Sequence, residues 1–390
     1  MYKSFTAFLA MASMATAAPF ARQETASKLV IGSPGQIVTA DFTGDNFKIT
    51  SKFAQQGMAP SWMLHRDPNV LYAVNENAAD LNLFNLDDAS SNPKLVDSVT
   101  GTTGVVSLAF NGDKSKILAP SYGTGSYDVW DVQADNKLKL LKNVKLQGEL
   151  GPGQESHRAH QAVLDPSGRY FVVPNLGGDA LVVVDTQNDS YEVTNTVPTG
   201  SGSGPRHGGF VSVNDGNQAS HYVVCTELSN EVVLFSLEYA EDGLKFSELQ
   251  RLSTYGPDAP PATPDKAAAG ELVIADNGRD VYVSNRLSGN ETDSIAHFVL
   301  EKCAEGKIQL RFADSVSSGG ILPRMFSLST DQNLVFVANQ GGQLGIAALK
   351  RNAETGALDA SPAASLPLDD LVADEFKGQE NVGPQYIQQI

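Results

Sequence analysis

Apolar residues in this chain come in short bursts rather than along helical faces. A turn of Asp, Asn, Gly or Pro is followed by three or four β-branched or aromatic residues and then by a polar stop. The pattern reads HRDPNVLYAVNE at His65–Glu76, LDPSGRYFVVPNL at Leu164–Leu176, ADNGRDVYVSNR at Ala275–Arg286 and LSTDQNLVFVANQ at Leu328–Gln340. Weaker copies stand at Asn111–Tyr122 and Val213–Leu228. Copies recur at intervals of roughly 45–60 residues, the range in which one repeat is one four-stranded blade of a propeller. Each copy is followed by another strand signal, at Leu81–Leu86, Tyr127–Val132, Ala180–Asp185, Glu231–Leu237, Ser294–Leu300 and Leu344–Leu349. Gly-, Asn- and Asp-rich turns between them suit hairpins. A sustained 3.6-residue apolar period is missing, so helix is expected only as a turn or two near Leu368–Phe376.

The two ends read as one split repeat. Lys28–Ser33 and Gln36–Phe42 look like strands lacking an inner partner, and Pro384–Ile390 can supply it. Joining them removes the open edges of the first and last blades. The expected fold is therefore all-β: a seven-bladed propeller of four-stranded antiparallel blades, the last closed by the N- and C-terminal strands. One propeller domain is expected over residues 28–390, after a signal peptide at 1–18 and a flexible stretch at 19–27. Tyr255–Ala269, rich in Pro and Ala, and the acidic Ser361–Asn381 are read as surface loops. Trp130-Asp131 occurs once, and Trp130 is read as a core aromatic.

Composition refines this picture. Met1-Tyr2-Lys3 is a basic start, Phe5–Ala15 is apolar, and Ala15–Pro19 offers small-residue cleavage sites. That is the pattern of a secretory signal, too short to span a bilayer. Secretion suits the sequons at Asn188 and Asn290. A formal net charge of −17 and a pI near 4.7 argue against nucleic acid and anionic membranes as partners. Of the two cysteines, Cys225 sits in a strand-like run and Cys303 follows another repeat. Pairing and free thiols both stay open.

In an up-and-down blade, residues leading into the first strand share a face of the disc with the turn between the second and third strands. The first set holds Pro60-Ser61-Trp62, His157-Arg158-Ala159-His160, Gly204-Pro205-Arg206-His207, Gly270-Glu271 and Pro323-Arg324-Met325. The second holds Asn75-Glu76, Asn175, Glu227, Asn285-Arg286 and Asn339-Gln340. Of only six histidines, three stand in two of these lead-ins. Arginine forks suit carboxylates and carbonyl oxygens. A histidine near a glutamate serves as general acid or base, and an arginine can stabilise an oxyanion. A Ser elbow, a Walker loop and a dinucleotide fingerprint are missing. His157-x-x-His160 supplies too few ligands for a metal site.

Several strings together resemble the seven-bladed lactonase propellers, which include bacterial-type 6-phosphogluconolactonases and fungal carboxy-cis,cis-muconate cyclases. They are HRAHQAVLDPSG at His157–Gly168, GPRH at Gly204–His207, Thr226-Glu227-Leu228, VSNR at Val283–Arg286, GGILPRMF at Gly319–Phe326 and VANQ at Val337–Gln340. The resemblance implies a metal- and cofactor-free site at the channel mouth. Its expected catalytic residues are His157, Arg206, Glu227 and Arg286, with His160, His207, Glu76, Glu271 and Arg324 binding a small lactone or carboxylate. Cys225-Thr226 departs from the family's more usual Val-Asn before Glu227 and leaves that register open by one residue. The expected activity is extracellular opening of an aldonolactone, with His157 or Glu227 as base. A lactone-forming muconate cyclase and a non-enzymatic surface glycoprotein are the alternatives.

Overall fold

The computed structural model describes residues 26–86, 92–212, 216–257 and 259–390. The expected signal peptide lies outside the described residues. Among those described, the strands form seven four-stranded antiparallel sheets arranged as blades. Blade 1 runs over residues 63–100, blade 2 over 109–145, blade 3 over 163–198, blade 4 over 205–253, blade 5 over 268–317 and blade 6 over 321–367. Blade 7 combines Tyr386–Gln389 with three strands between Ser27 and Ala54, in the order expected from the split repeat.

Burial explains why the apolar bursts are continuous rather than alternating. In blade 3 the second strand, Tyr170–Asn175, and the third, Ala180–Asp185, are buried at every position. Each blade is sandwiched between two others, so both faces of its middle strands are dry. Outer strands face solvent and alternate instead, as Leu138–Lys145 does. The repeated motif is thus the second strand of each blade and the signal after it the third. All seven blades carry a register shift between the third and fourth strands. A bulge there adds twist where the blade widens outward.

Ring closure rests on the last strand. Tyr386–Gln389 pairs with Leu29–Gly32. The Tyr386 hydroxyl donates to Met63 O in blade 1 at 2.6 Å, and Ile387 N donates to the Met325 sulfur in blade 6 at 3.3 Å. Tyr386 and Ile387 join a core cluster that includes Phe42, Leu71 and Phe336.

Two expectations need correction. Ser361–Asn381 is not a surface loop throughout. Ala364–Pro367 forms the outer strand of blade 6, and Leu366 and Leu371 are buried in the same cluster as Tyr386. Its acidic residues hid two apolar anchors too widely spaced to read as a strand. Likewise Ala268 and Ala269 belong to the inner strand of blade 5, not to the preceding loop. The tail carries single 3-10 turns at Leu368–Leu371 and Asp374–Phe376. Trp130 is buried in the core. Both cysteines are free, and burial pushes the Cys225 thiol up to about 12.

Blades 5 and 6 are further joined by a buried ion cluster. Asp280 pairs with Arg351 and, at 2.9 Å, with Arg279. Arg351 Nε donates to the Tyr282 hydroxyl at 2.7 Å, and His297 Nε2 lies 3.3 Å from Asp280. Burial would raise the Asp280 carboxyl, but bonds from His297, Arg279 and Asn277 hold it far below the usual range.

Deleting Gly383–Ile390 removes the buried Tyr386 and Ile387 side chains, each contributing about 1.5–3 kcal/mol, and opens a strand edge in a fold whose net stability is about 5–15 kcal/mol. The truncated chain is expected to lose its cooperative melting transition in calorimetry. Unchanged melting would refute the closure. Asp280→Ala leaves Arg351 buried without its anion and is expected to cost about 3–5 kcal/mol in chemical denaturation. Because the folded carboxyl titrates below the ordinary aspartate value of 3.8, the wild-type contribution is present above that pH and lost as pH falls below it. The difference between wild type and variant should shrink accordingly.

Candidate active site

The inner strands of blades 4, 5 and 6 carry a second register shift, in addition to the one in each outer ladder. Pairing with the second strand shifts between Pro205 and His207, between Ala269 and Leu272, and between Pro323 and Met325. The residues left out of the ladder are Arg206, Gly270-Glu271 and Arg324. A bulge inserts a residue without flipping the rest of the strand, and so re-aims its side chain. Three successive blades thereby turn a charged side chain toward one place. Gly270 is required there: a Cβ would stand 2.5 Å from Ser284 Oγ and 3.1 Å from the Arg286 side chain.

The strand ends are braced by asparagines. Asn75 Oδ1 accepts from Ala59 N, and Asn175 Oδ1 accepts from Arg158 N, both at 3.0 Å. Asn285 and Asn339 donate to Thr254 O and Ser318 O, also at 3.0 Å. Each asparagine at the end of a second strand thus holds chain on the approach to an inner strand, which fixes the lead-in residues.

The assembled side chains form three charged groups around a narrow cavity. Glu227 Oε2 lies 2.8 Å from Arg206 Nε and 2.9 Å from Arg286 Nη2. Arg286 also donates to Ala269 O at 3.0 Å. Arg324 Nη2 donates to Glu76 at 2.6 Å, spanning from blade 6 to blade 1. His207 Nδ1 lies 2.5 Å from Glu271 Oε1, and its Nε2 lies 3.1 Å from His160 Nδ1. The His207 ring also meets Trp62 of blade 1 across the channel, with centroids 5.6 Å apart. The cavity between these groups is lined by Ser61, Trp62, His160, Arg206, Arg324 and Gln385, among others. Its free volume is about 10 Å³, room for one oxygen-sized group.

The electrostatics follow from burial. Arg206 is only 2% exposed, and burial followed by Arg286 pushes it down to about 10, so it stays charged at neutral pH. Burial would raise Glu227, but Arg286 and Arg206 outweigh it and hold the carboxyl below the usual range. Burial, reinforced by Arg206 and His207, places His160 well below the ordinary histidine value. His207 is also lowered by burial, partly offset by Glu271. Several buried polar atoms face no protein partner: Arg206 Nη1, Glu271 Oε2, Arg286 Nε, Ser61 Oγ and Gln385 Oε1. Buried polar groups are ordinarily satisfied, so this concentration marks a place for a polar ligand.

The family model for lactonases of the seven-bladed β-propeller type matches residues 24–367. The chain belongs to this family. The "Probable 6-phosphogluconolactonase" of Arthroderma benhamiae is 29% identical over 294 residues, covering 73% of this chain and 71% of the relative. An uncharacterized protein of Staphylococcus saprophyticus is 26% identical over 321 residues, covering 80% and 87%. Among solved structures, the periplasmic gluconolactonase of Pseudomonas aeruginosa has the same fold, with a TM-score of 0.76 at 22% identity over 94% of this chain and 99% of that one.

Within this lactonase-family propeller, the structure brings together Arg206, Glu227, Arg286, His160, His207, Glu76, Glu271 and Arg324. It does not bring His157 in. That ring lies 2.9 Å from Asn175 Nδ2, beside Gly125 and Gly178, and lines no part of the cavity. The spacing of His157 and His160 placed both in one lead-in, but only His160 turns inward. The register of Glu227 is settled: it follows strand His221–Thr226, and its N–H donates to Gly204 O at 2.7 Å. Gln385 was missed. It stands immediately before the inner strand of blade 7, where the lead-in rule applied to the split repeat would have found it. Asn188 and Asn290 are both exposed.

Glu227→Ala would leave Arg206 and Arg286 in contact without their shared anion. Breaking such a pair costs about 3–5 kcal/mol. The variant is expected to melt at a clearly lower temperature in calorimetry, with partial recovery in added formate. A wild-type melting curve would refute the bridging role.

Proposed function

We propose that this chain is a secreted hydrolase that opens the ring ester of a neutral sugar-acid lactone, without a metal, at the channel mouth. The observation that carries the reading is the buried, unpartnered Arg206 Nη1 beside His160 in one oxygen-sized cavity. A lactone can place its carbonyl oxygen there while its ring sits above, among the less buried Glu227, Glu76 and Arg324. The unpartnered Ser61 Oγ and Gln385 Oε1 offer hydrogen bonds to substrate hydroxyls.

Charge narrows the substrate. Arg206, Arg286 and Arg324 are matched in number by Glu76, Glu227 and Glu271, and each of the three guanidiniums already touches a carboxylate. A tricarboxylate, as a muconate cyclase would take, would bring excess negative charge into a balanced, desolvated cluster. A neutral lactone adds none. Secretion rests on the N-terminal residues, and metal independence on both ring nitrogens of His207 being engaged by protein groups.

In the proposed mechanism Arg206 Nη1 donates to the lactone carbonyl and stabilises the oxyanion as water adds. Glu227 is held ionised by two guanidiniums and orients Arg206, which makes it a poor base. His160, neutral and lining the cavity, takes the proton from water. The tetrahedral intermediate then collapses, the bond from carbonyl carbon to ring oxygen breaks, and His160 returns the proton to the departing alkoxide. The product is the open hydroxy acid.

Purified protein is expected to hydrolyse glucono-1,5-lactone, read as acid release in a pH-stat. Removing an oxyanion donor typically costs about 10²–10³ in kcat, so Arg206→Ala should fall by that order. Because burial lowers the folded His160 below the ordinary histidine value of 6.5, the acidic limb of kcat/KM should lie below pH 6.5. Activity confined to a carboxymuconate would assign the cyclase reaction instead.

A further inference from the structure

Glu271 and His207 line the same cavity but carry out no step of the proposed reaction, and both are 3% exposed or less and chemically committed. Glu271 Oε1 accepts the backbone N–H of Leu272 at 3.1 Å as well as facing His207 Nδ1 at 2.5 Å. Glu271 Oε1 acts as the acceptor toward the amide and faces the ring from the same oxygen, so the proton of the pair is assigned to His207 Nδ1. In a neutral ring, His207 Nε2 then carries a lone pair. That lone pair faces His160 Nδ1 at 3.1 Å, which must supply the hydrogen. The chain of donors ends with the lone pair of His160 on Nε2. The two rings are held edge-on, with centroids 4.9 Å apart, between Trp62 and Tyr122.

We propose that Glu271 and His207 are positioning residues that lock His160 in the Nδ1–H tautomer and spread onto Glu271 the positive charge that His160 gains during the reaction. The inference rests on His160 being the base, as argued above. The groups facing His160 are the rings of His207 and Tyr122 and the cations Arg206, Arg286 and Arg324. His207 faces Glu271, Arg206 and Arg286. Three guanidiniums oppose any charge on the ring pair. Glu271, one ring removed, is the anion that offsets them when His160 takes a proton. A bonded partner at the far nitrogen is the ordinary means of fixing which histidine nitrogen is basic.

The test uses full-length protein labelled with ¹⁵N-histidine, with the His160 signals assigned by their loss in His160→Gln. Nitrogen shifts are expected to show His160 protonated at Nδ1 in the wild type and to lose that preference in Glu271→Gln and His207→Phe. The latter keeps a ring against Trp62. With glucono-1,5-lactone, both variants should lose at least tenfold in kcat with KM little changed, and the acidic limb of Glu271→Gln should move to lower pH. A purely structural role would not move the tautomer or the limb. Finding wild-type His160 protonated at Nε2, or the same tautomer, kcat and limb in both variants, would overturn the relay. The tautomer measurement needs no substrate and no variant of Glu271. It therefore decides the relay even if Glu271→Gln fails to fold or glucono-1,5-lactone is not turned over.

Discussion

Everything else in this molecule depends on four residues at its C-terminal end closing a ring. A sheet that ends in an unpaired edge leaves a row of backbone donors and acceptors exposed. Here Tyr386–Gln389 fills the inner position of blade 7 and bonds to blades 1 and 6 as well as to its own sheet. Closure joins seven sheets, none of which can bury its apolar faces alone, into one body whose middle strands are largely buried. It also fixes the diameter of the channel. At that diameter Trp62 of blade 1 meets His207 of blade 4, and Arg324 of blade 6 reaches Glu76 of blade 1 past the narrow closing strand.

The site is made by interrupting this regularity. The ladder between first and second strands breaks at Arg206, Glu271 and Arg324. Each break releases a charged residue from the alternation that would otherwise point it into a neighbouring blade. Burying three guanidiniums and three carboxylates is costly unless they are paired with good geometry. They are paired, and the pairs bridge blades: Glu227 joins blades 4 and 5, and His207 joins blades 3 and 5 through His160 and Glu271. Arg206 Nη1 and Glu271 Oε2 are left unmatched beside the cavity, and Arg286 Nε within the network. The same desolvation that lowers Arg206 lowers His160 and His207.

Much of this was legible beforehand because the repeat and the antiparallel strand order carry directional information. The lead-ins to inner strands and the ends of second strands pointed to Arg206, Glu227, Arg286, Glu271 and Arg324 before any coordinates were available. The errors have separate causes. His157 and His160 are three residues apart in an irregular lead-in, where no period tells which side chain faces the channel. The acidic tail hid Leu366 and Leu371 because a single outer strand needs few apolar contacts. Gln385 was overlooked because its blade is assembled from both ends of the chain.

The sequence alone determined the second and third strands of the repeats, their grouping into seven blades and the closing role of the last segment. These follow from short-range periodicity and from the need to bury apolar bursts on both faces. Which side chains meet was decided by tertiary structure. Bulge positions, the direction of His160 rather than His157, the sharing of Glu227 by two arginines and the bond from Glu271 through His207 to His160 all depend on how far blades stand apart once the ring is closed. That distance is a property of the closed ring and of no single repeat.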